Sequence, residues 1–211
     1  MTIKLPDNEL NRLEALFKFR ILDTEQDETY DAITRVAATI LDTPIAIISF
    51  IESDRAWAKS SIGWSRSQSS REHSFCATTI LDIDSPLVVT DATQDERFSN
   101  NPFVVEDPNI RFYCGSPLVT TSNEAVGAIC VVDTVARKTP TTNQIRALKD
   151  LSRVVIAQLE LRQFIFEIQS QVEKLKEVAV VDKSEIKEIY ESLNSQCDTI
   201  LNRIKARNFK V

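Results

Sequence analysis

Residues 44–63 run PIAIISFIESDRAWAKSSIG. Ile45 to Ile51 is an almost unbroken β-branched stretch, the pattern of a strand covered on both faces. Ala56 to Ile62 reads as its hairpin partner, reached through the polar turn Glu52 to Arg55. A second hairpin follows downstream, with strands Ile110 to Thr121 and Ala125 to Val132 about the turn Ser122 to Glu124. Two such hairpins predict a mainly antiparallel sheet.

Before the first hairpin, Leu10, Leu13, Leu16 and Phe17 fall at helical spacing between Asp7 and Phe19, with Pro6 where a first turn tolerates it. A second helix is expected from the acidic segment Asp27 to Asp31 through Ile33, Val36, Ala37, Ile40 and Leu41, stopped by Pro44. Between the hairpins, Ser65 to Ser70 reads as a loop, HSFCATTIL as a segment with a short helix, and Leu87 to Thr90 as a brief strand. A polar loop then extends to about Asn109, with a helical turn expected around Gln94 to Phe98. The order of elements predicts an α+β domain.

The C-terminal part is built differently. The chain has only three glycines, Gly63, Gly115 and Gly127, and neither Gly nor Pro follows Pro140. Leu161, Ile165, Ile168, Val172, Leu175 and Ala179 step by alternating fours and threes, which is a heptad seam. The same stepping restarts at Ile186 and runs through Tyr190, Leu193, Cys197, Ile200 and Ile204. The phase shifts between Ala179 and Ile186, so either a coiled coil slips register there or the helix breaks, with Asp182 to Glu185 suited to cap a second helix. A long helix and a helical hairpin both fit.

Charge divides at the same place. Residues 1–140 carry 13 Lys and Arg against 21 Asp and Glu, and residues 141–211 carry 12 against 10. An acidic front part and a near-neutral tail argue against nucleic acid as a partner, which needs a clustered positive surface. No apolar run is long enough to span a bilayer and Met1 to Asp7 lacks the layout of a signal peptide, so a cytoplasmic protein without membrane contact is expected. The four cysteines are widely spaced and His73 is the only histidine, which disfavours structural zinc, any other metal site and a disulfide framework.

Six blocks carry a family resemblance: FRILDT (19–24), PIAIISFIESDRAWAKSSIG (44–63), REHSFCATTIL (71–81), LVVTDATQDERFSNNPFV (87–104), IRFYCGSPLVT (110–120) and VGAICVVD (126–133). Together they resemble the GAF domain of bacterial signalling proteins, in the non-pigmented subtype marked by SFCA and RFYxGxPL. The likeness spans about residues 8–162. It implies a central antiparallel sheet flanked by helices, a pocket on one face beneath a short helix and loops, and terminal helices that dimerise as a bundle. The expected organisation is an N-terminal helix in residues 1–25, the GAF domain in 26–162, and a helical dimerisation and signalling extension in 163–211.

Fold does not fix function. Members of the family bind cyclic nucleotides, bilins, haem or small amino-acid-like molecules, so the cofactor stays unknown. The N-K-x-F-D-E-like string expected of cyclic-nucleotide binders is missing, and the usual bilin-anchoring Cys-His dipeptide is replaced by NPFVVEDPN. Cys76 lies roughly where a second bilin class places its thiol, but it also reads as a small packed residue. Haem ligation by His73 is disfavoured by its polar loop. The one well-known catalytic member of the family, the free methionine sulfoxide reductase, needs a nucleophilic and a resolving thiol. Cys76, Cys114 and Cys130 could converge on a pocket face for that chemistry, yet Cys114 and Cys130 lie in apolar strand sequence with no basic neighbour beside them.

Asp91, Asp95, Arg97 and Arg111 form the most suggestive polar set. An aspartate capping a turn and an arginine pairing with it is one reading, and ligand contact is the other. Phe75, Phe98, Phe103, Phe112 and Tyr113 are read as pocket walls or core. The candidate cofactor-binding residues are therefore Phe75, Cys76, Asp91, Phe98, Arg111 and Tyr113, with no catalytic or metal residue. The leading expectation is a non-enzymatic sensory or regulatory homodimer that takes a small ligand. With 49 residues after the domain, neither a kinase nor a cyclase is expected within this sequence. Output is thus expected from a partner of that kind. A thiol-dependent enzyme of the methionine sulfoxide reductase type and a bilin photoreceptor anchored at Cys76 are the alternatives.

Overall fold

The computed structural model describes residues 4–178, 187–196, 198 and 199. They fall into two units, Met1–Glu160 and Leu161–Val211. The first is an α+β domain around one six-stranded antiparallel sheet. Its strands are β1 (Ile45–Ile51), β2 (Arg55–Ile62), β3 (Gln68–Ser70), β4 (Leu87–Val89), β5 (Phe112–Val119) and β6 (Ala125–Asp133), ordered β3-β2-β1-β6-β5-β4. The two hairpins expected from sequence are present as β1–β2 and β5–β6, and they join where β1 pairs with β6, Ile47 opposite Cys130.

Alternation along the strands sends side chains into two separate cores. On one face Ala46, Ile48, Phe50, Phe112, Cys114 and Val131 pack with apolar residues of α1 (Glu9–Lys18), α2 (Glu28–Leu41) and the first part of α5 (Thr142–Val178). The opposite face carries Ile47, Tyr113, Cys130 and Val132 against the short helices α3 (Phe75–Thr79) and α4 (Pro102–Val105) and the loops around them. Asp27 caps α2 by accepting from the Thr29 amide, and Asp42 ends it in the left-handed conformation, just before Pro44.

One local expectation is corrected. The Ser65 to Ser70 loop ends in a strand, because Gln68, Ser69 and Ser70 pair with Trp57, Ala56 and Arg55 at the sheet edge. The helical turn expected around Gln94 to Phe98 is present as a single turn, with the Phe98 and Ser99 amides donating to the Asp95 carbonyl, and a short helix follows at Pro102. There Asn101 accepts from the Phe103 amide and Pro102 supplies a preset first residue.

In the second unit, Leu161, Ile165 and Val172 are 51%, 46% and 40% exposed along α5. Residues 187–196 are helical as well. Gln171 donates to Gln196 at 3.1 Å. One straight helix would hold residues 25 positions apart at about 37 Å. The helical segments around Gln171 and Gln196 therefore lie side by side. The side chain of Leu175, the phase shift between Ala179 and Ile186, and Cys197, Ile200 and Ile204 lie outside the described residues. Among the described residues, no helix is long and apolar enough to cross a membrane.

Candidate functional site

The pocket face of the sheet contains a cavity of about 50 Å³ between the strands and α3. Its floor is Ile47 and Ser49 of β1, Ala56 and Ala58 of β2, Tyr113 of β5 and Cys130 and Val132 of β6; Phe75 and Cys76 of α3 form the roof. The rim is Trp64, Arg66 and Phe103. The Trp64 ring meets Phe103 edge-on at 5.6 Å, and the Arg66 guanidinium lies 5.3 Å over the same phenyl ring. A buried water takes roughly 10–15 Å³ on this scale, so the space suits a few small molecules. A drug-sized ligand needs several hundred Å³ and requires the rim to move.

Local sequence explains how the roof is held. Ser74 caps α3 through the Ala77 amide, and Asn101 Nδ2 donates to the His73 carbonyl, tying α4 to the turn before α3. Arg71 in that turn is fully buried. Its Nη1 donates to the Glu52 carbonyl at 2.9 Å and to Glu9 Oε1 at 2.5 Å. Buried Arg12 also grips Glu9 and donates to the Ile51 carbonyl at 2.6 Å. Helix α1, the β1–β2 turn and the approach to α3 thus share one ionic cluster. Burial pushes the Glu9 carboxyl up, but the two arginines outweigh it and hold the group at about 2.

The chemistry-bearing groups meet at the centre. Cys76 Sγ is 3.5 Å from Cys130 Sγ, and the Tyr113 hydroxyl donates to Cys76 Sγ at 3.4 Å while sharing a 2.6 Å hydrogen bond with Thr79 Oγ1. The Tyr113 ring reaches that position because it lies along its own strand over Gly115, where a Cβ would stand 2.2 Å from the hydroxyl. The hydrogen bond from Cys130, helped against burial by the Ser49, Tyr113 and Ser74 hydroxyls, brings the Cys76 thiol down to about 7. Its hydrogen bond to Cys76, together with burial, pushes the Cys130 thiol well up. Burial and the neighbouring thiols do the same to Tyr113. Ser49 Oγ is near enough to favour charge on Cys76, yet it makes no hydrogen bond of ordinary geometry.

Of the residues proposed from sequence, Phe75, Cys76 and Tyr113 come together in this cavity. Phe98 stacks on Phe75 with ring centroids 4.0 Å apart and lines the neighbouring surface groove with Thr79 and Arg97. Asp91 and Arg111 are placed elsewhere. Asp91 Oδ1 accepts from the Thr93 amide and hydroxyl, which lowers its pKa, and Arg111 donates to the Val104 and Ile110 carbonyls. Asp95 likewise binds the Arg97 amide and guanidinium. The three cysteines do not all converge. Cys114 alternates with Tyr113 and points into the other core, where burial pushes its thiol up to about 12. Among the described residues, no group of three or more His, Cys, Asp and Glu is placed to hold a metal ion. Sequence reasoning missed Ser49, Trp64 and Arg66. Ser49 left one usable signal, a lone hydroxyl in an otherwise apolar strand.

The GAF domain family model matches residues 25–159, well over half of the chain, and the chain belongs to the GAF domain family. A cyclic di-GMP phosphodiesterase of Pseudomonas aeruginosa is 36% identical over 154 residues, covering 73% of this chain and 26% of the relative. The chain therefore spans about a quarter of the length of that curated relative. Among solved structures, the GAF domain of an Acinetobacter phosphoenolpyruvate-protein phosphotransferase superposes with a TM-score of 0.53 at 13% identity, covering 74% of this chain and 95% of that one. A type II free methionine-R-sulfoxide reductase from Thermoplasma acidophilum gives 0.51 at 10% identity, covering 63% and 90%. These two likenesses concern the fold. The relative from Pseudomonas is named as an enzyme, and this overturns the expectation that the protein is not one.

Proposed function

We propose that this chain is a sensory or regulatory GAF module of bacterial signal transduction, working in the cytoplasm. Its pocket takes a small ligand, and the occupied state changes the balance between two arrangements of a helical homodimer interface. The observation that carries this reading is the inequality of the two sheet faces. One is packed by long helices around an apolar core, with an open polar groove between α2 and β2 at its edge, and the other keeps a cavity ringed by thiols, hydroxyls and aromatic rings under two short helices. The exposed seam of Leu161, Ile165 and Val172 supplies the surface for a second copy. The output partner is a signalling enzyme such as a kinase or a cyclase, and the named activity of the Pseudomonas relative makes cyclic di-GMP turnover the first output to assay.

Native mass spectrometry of the full chain, purified from a bacterial extract, tests the ligand. A dimer carrying a small-molecule mass that is lost in Ala58→Trp, which fills the cavity, is the expected result. Bare chains in both proteins would overturn it.

A second reading, a thiol-dependent reductase, is favoured by the 3.5 Å approach of Cys76 and Cys130. Reduction of free methionine sulfoxide in an NADPH-coupled assay, abolished by Cys76→Ser, is its expected outcome, and no turnover by the unsubstituted chain dismisses it.

A further inference from the structure

The sulfur pair in the cavity has a chemistry of its own. Cys76 sits on α3 and Cys130 on β6, 54 residues apart, with no bond between them. Their sulfurs need to approach from 3.5 Å to about 2.05 Å to form a disulfide. Both line the same small cavity, as does Ser49, a buried residue whose Oγ has no hydrogen-bond partner. Strand register accounts for the grouping: Ile47 faces Cys130 across the β1–β6 ladder, and Ser49 lies two residues along on the same face. An unpaired hydroxyl beside a buried thiol marks a place where a small polar molecule gains a hydrogen bond on entering.

We propose that Cys76 and Cys130 form a peroxide-oxidisable dithiol, in which hydrogen peroxide admitted to the cavity converts the pair to a disulfide that fastens α3 to β6. The Cys76 sulfur attacks one peroxide oxygen and the O–O bond breaks. That oxygen stays on sulfur as a sulfenic acid, and the other leaves as hydroxide, which takes up the Cys76 proton as water. The Cys130 sulfur then attacks the Cys76 sulfur, the S–O bond breaks, and a second water leaves with the Cys130 proton. Two thiols are oxidised and one peroxide is reduced to two waters. Ser49 Oγ donates to the oxygen held on Cys76 during the first step.

Cavity size sets the oxidant. About 50 Å³ admits peroxide and excludes a molecule as large as glutathione disulfide. A bond at this place removes Cys76 from the Tyr113 hydroxyl and draws the roof of the pocket toward the sheet. The inference rests on the sensory reading for its consequence, since the roof that moves is the roof of the proposed ligand site. The sulfur chemistry itself stands on geometry alone.

The test uses the full chain carrying Cys197→Ser, so that Cys76, Cys114 and Cys130 are its only thiols. After treatment with hydrogen peroxide, then unfolding and alkylation, the free thiols are expected to fall from three to one, and peptide mapping is expected to find the Cys76 peptide joined to the Cys130 peptide. Glutathione disulfide at the same oxidising equivalents is expected to leave all three thiols free, and Ser49→Ala to slow the peroxide reaction several-fold while forming the same link. Three free thiols after peroxide, a sulfinic acid on Cys76 without a link, equally fast linking by glutathione disulfide, or an unchanged rate in Ser49→Ala would each overturn the proposal. None of these results depends on whether native mass spectrometry finds a bound ligand, so the two can fail separately.

Discussion

Glu9 Oε1 and Arg71 Nη1 meet at 2.5 Å across 62 positions of sequence, and the arginine side chain is 1% exposed. This pair joins α1 to the turn that leads into α3. Removing the carboxylate leaves Arg12 and Arg71 buried with only carbonyl partners, which costs about 3–5 kcal/mol for a broken buried pair. Glu9→Gln is expected to lower the urea midpoint by a corresponding amount. A stability change under about 0.5 kcal/mol, the range of ordinary surface substitutions, would contradict the role given to Glu9.

The same cluster predicts an acid dependence. The Glu9 carboxyl is held at about 2 in the fold, below its ordinary value of 4.5. A lowered carboxylate gives stability that is complete above its unfolded value and is lost as the pH falls through the folded one. This contribution therefore declines between about pH 4.5 and about pH 2, by at most about 3 kcal/mol. Urea unfolding at several pH values checks it. The stability gap between the unsubstituted chain and Glu9→Gln should narrow steadily over that window, and a gap independent of pH would count against the cluster.

Gly115 predicts a packing effect that reaches the site. A Cβ there stands 2.2 Å from the Tyr113 hydroxyl and under 3 Å from two ring carbons. Gly115→Ala therefore drives the ring off Thr79 and Cys76 and costs about 1–3 kcal/mol by overpacking. In a Tyr113→Leu background the alanine should cost much less, because the clash has been removed. Equal costs in both backgrounds would place the strain elsewhere.

The exposed residues Leu161, Ile165 and Val172 predict self-association through α5. Light scattering should give the full chain twice the 23.9 kDa of one chain, and deletion of residues 163–211 should leave a monomer. A truncated protein that stays dimeric would move the interface to the GAF domain itself.

The hairpins and the first two helices were legible because their side-chain periods are strong and their ends carry ordinary signals, Asp27 at the start of α2 and Pro44 after it. Strand β3 was not legible. Its residues Gln68, Ser69 and Ser70 have no apolar alternation, and only pairing with β2 makes them a strand. Helix α4 left a readable signal in Asn101 followed by Pro102, which the polar loop around it obscured. Within the site, Phe75, Cys76 and Tyr113 were legible from their motifs, whereas the pairing of Cys130 with Cys76 was not. VGAICVVD shows an apolar strand, and which face each residue takes depends on the β1–β6 register. For Asp91 and Arg111 the sequence does not reveal that Asp91 Oδ1 accepts from Thr93 and that Arg111 Nη1 holds the Val104 and Ile110 carbonyls, away from the cavity.

On the proposed function, the state of the pocket reaches the helices. Hydrogen–deuterium exchange of the full chain against Ala58→Trp tests it most directly, since that substitution fills the cavity and leaves α5 untouched in sequence. Filling the pocket is expected to change exchange both in the segments around Cys76 and Tyr113 and along residues 161–174. Altered exchange around the pocket with identical curves for residues 161–174 would contradict it.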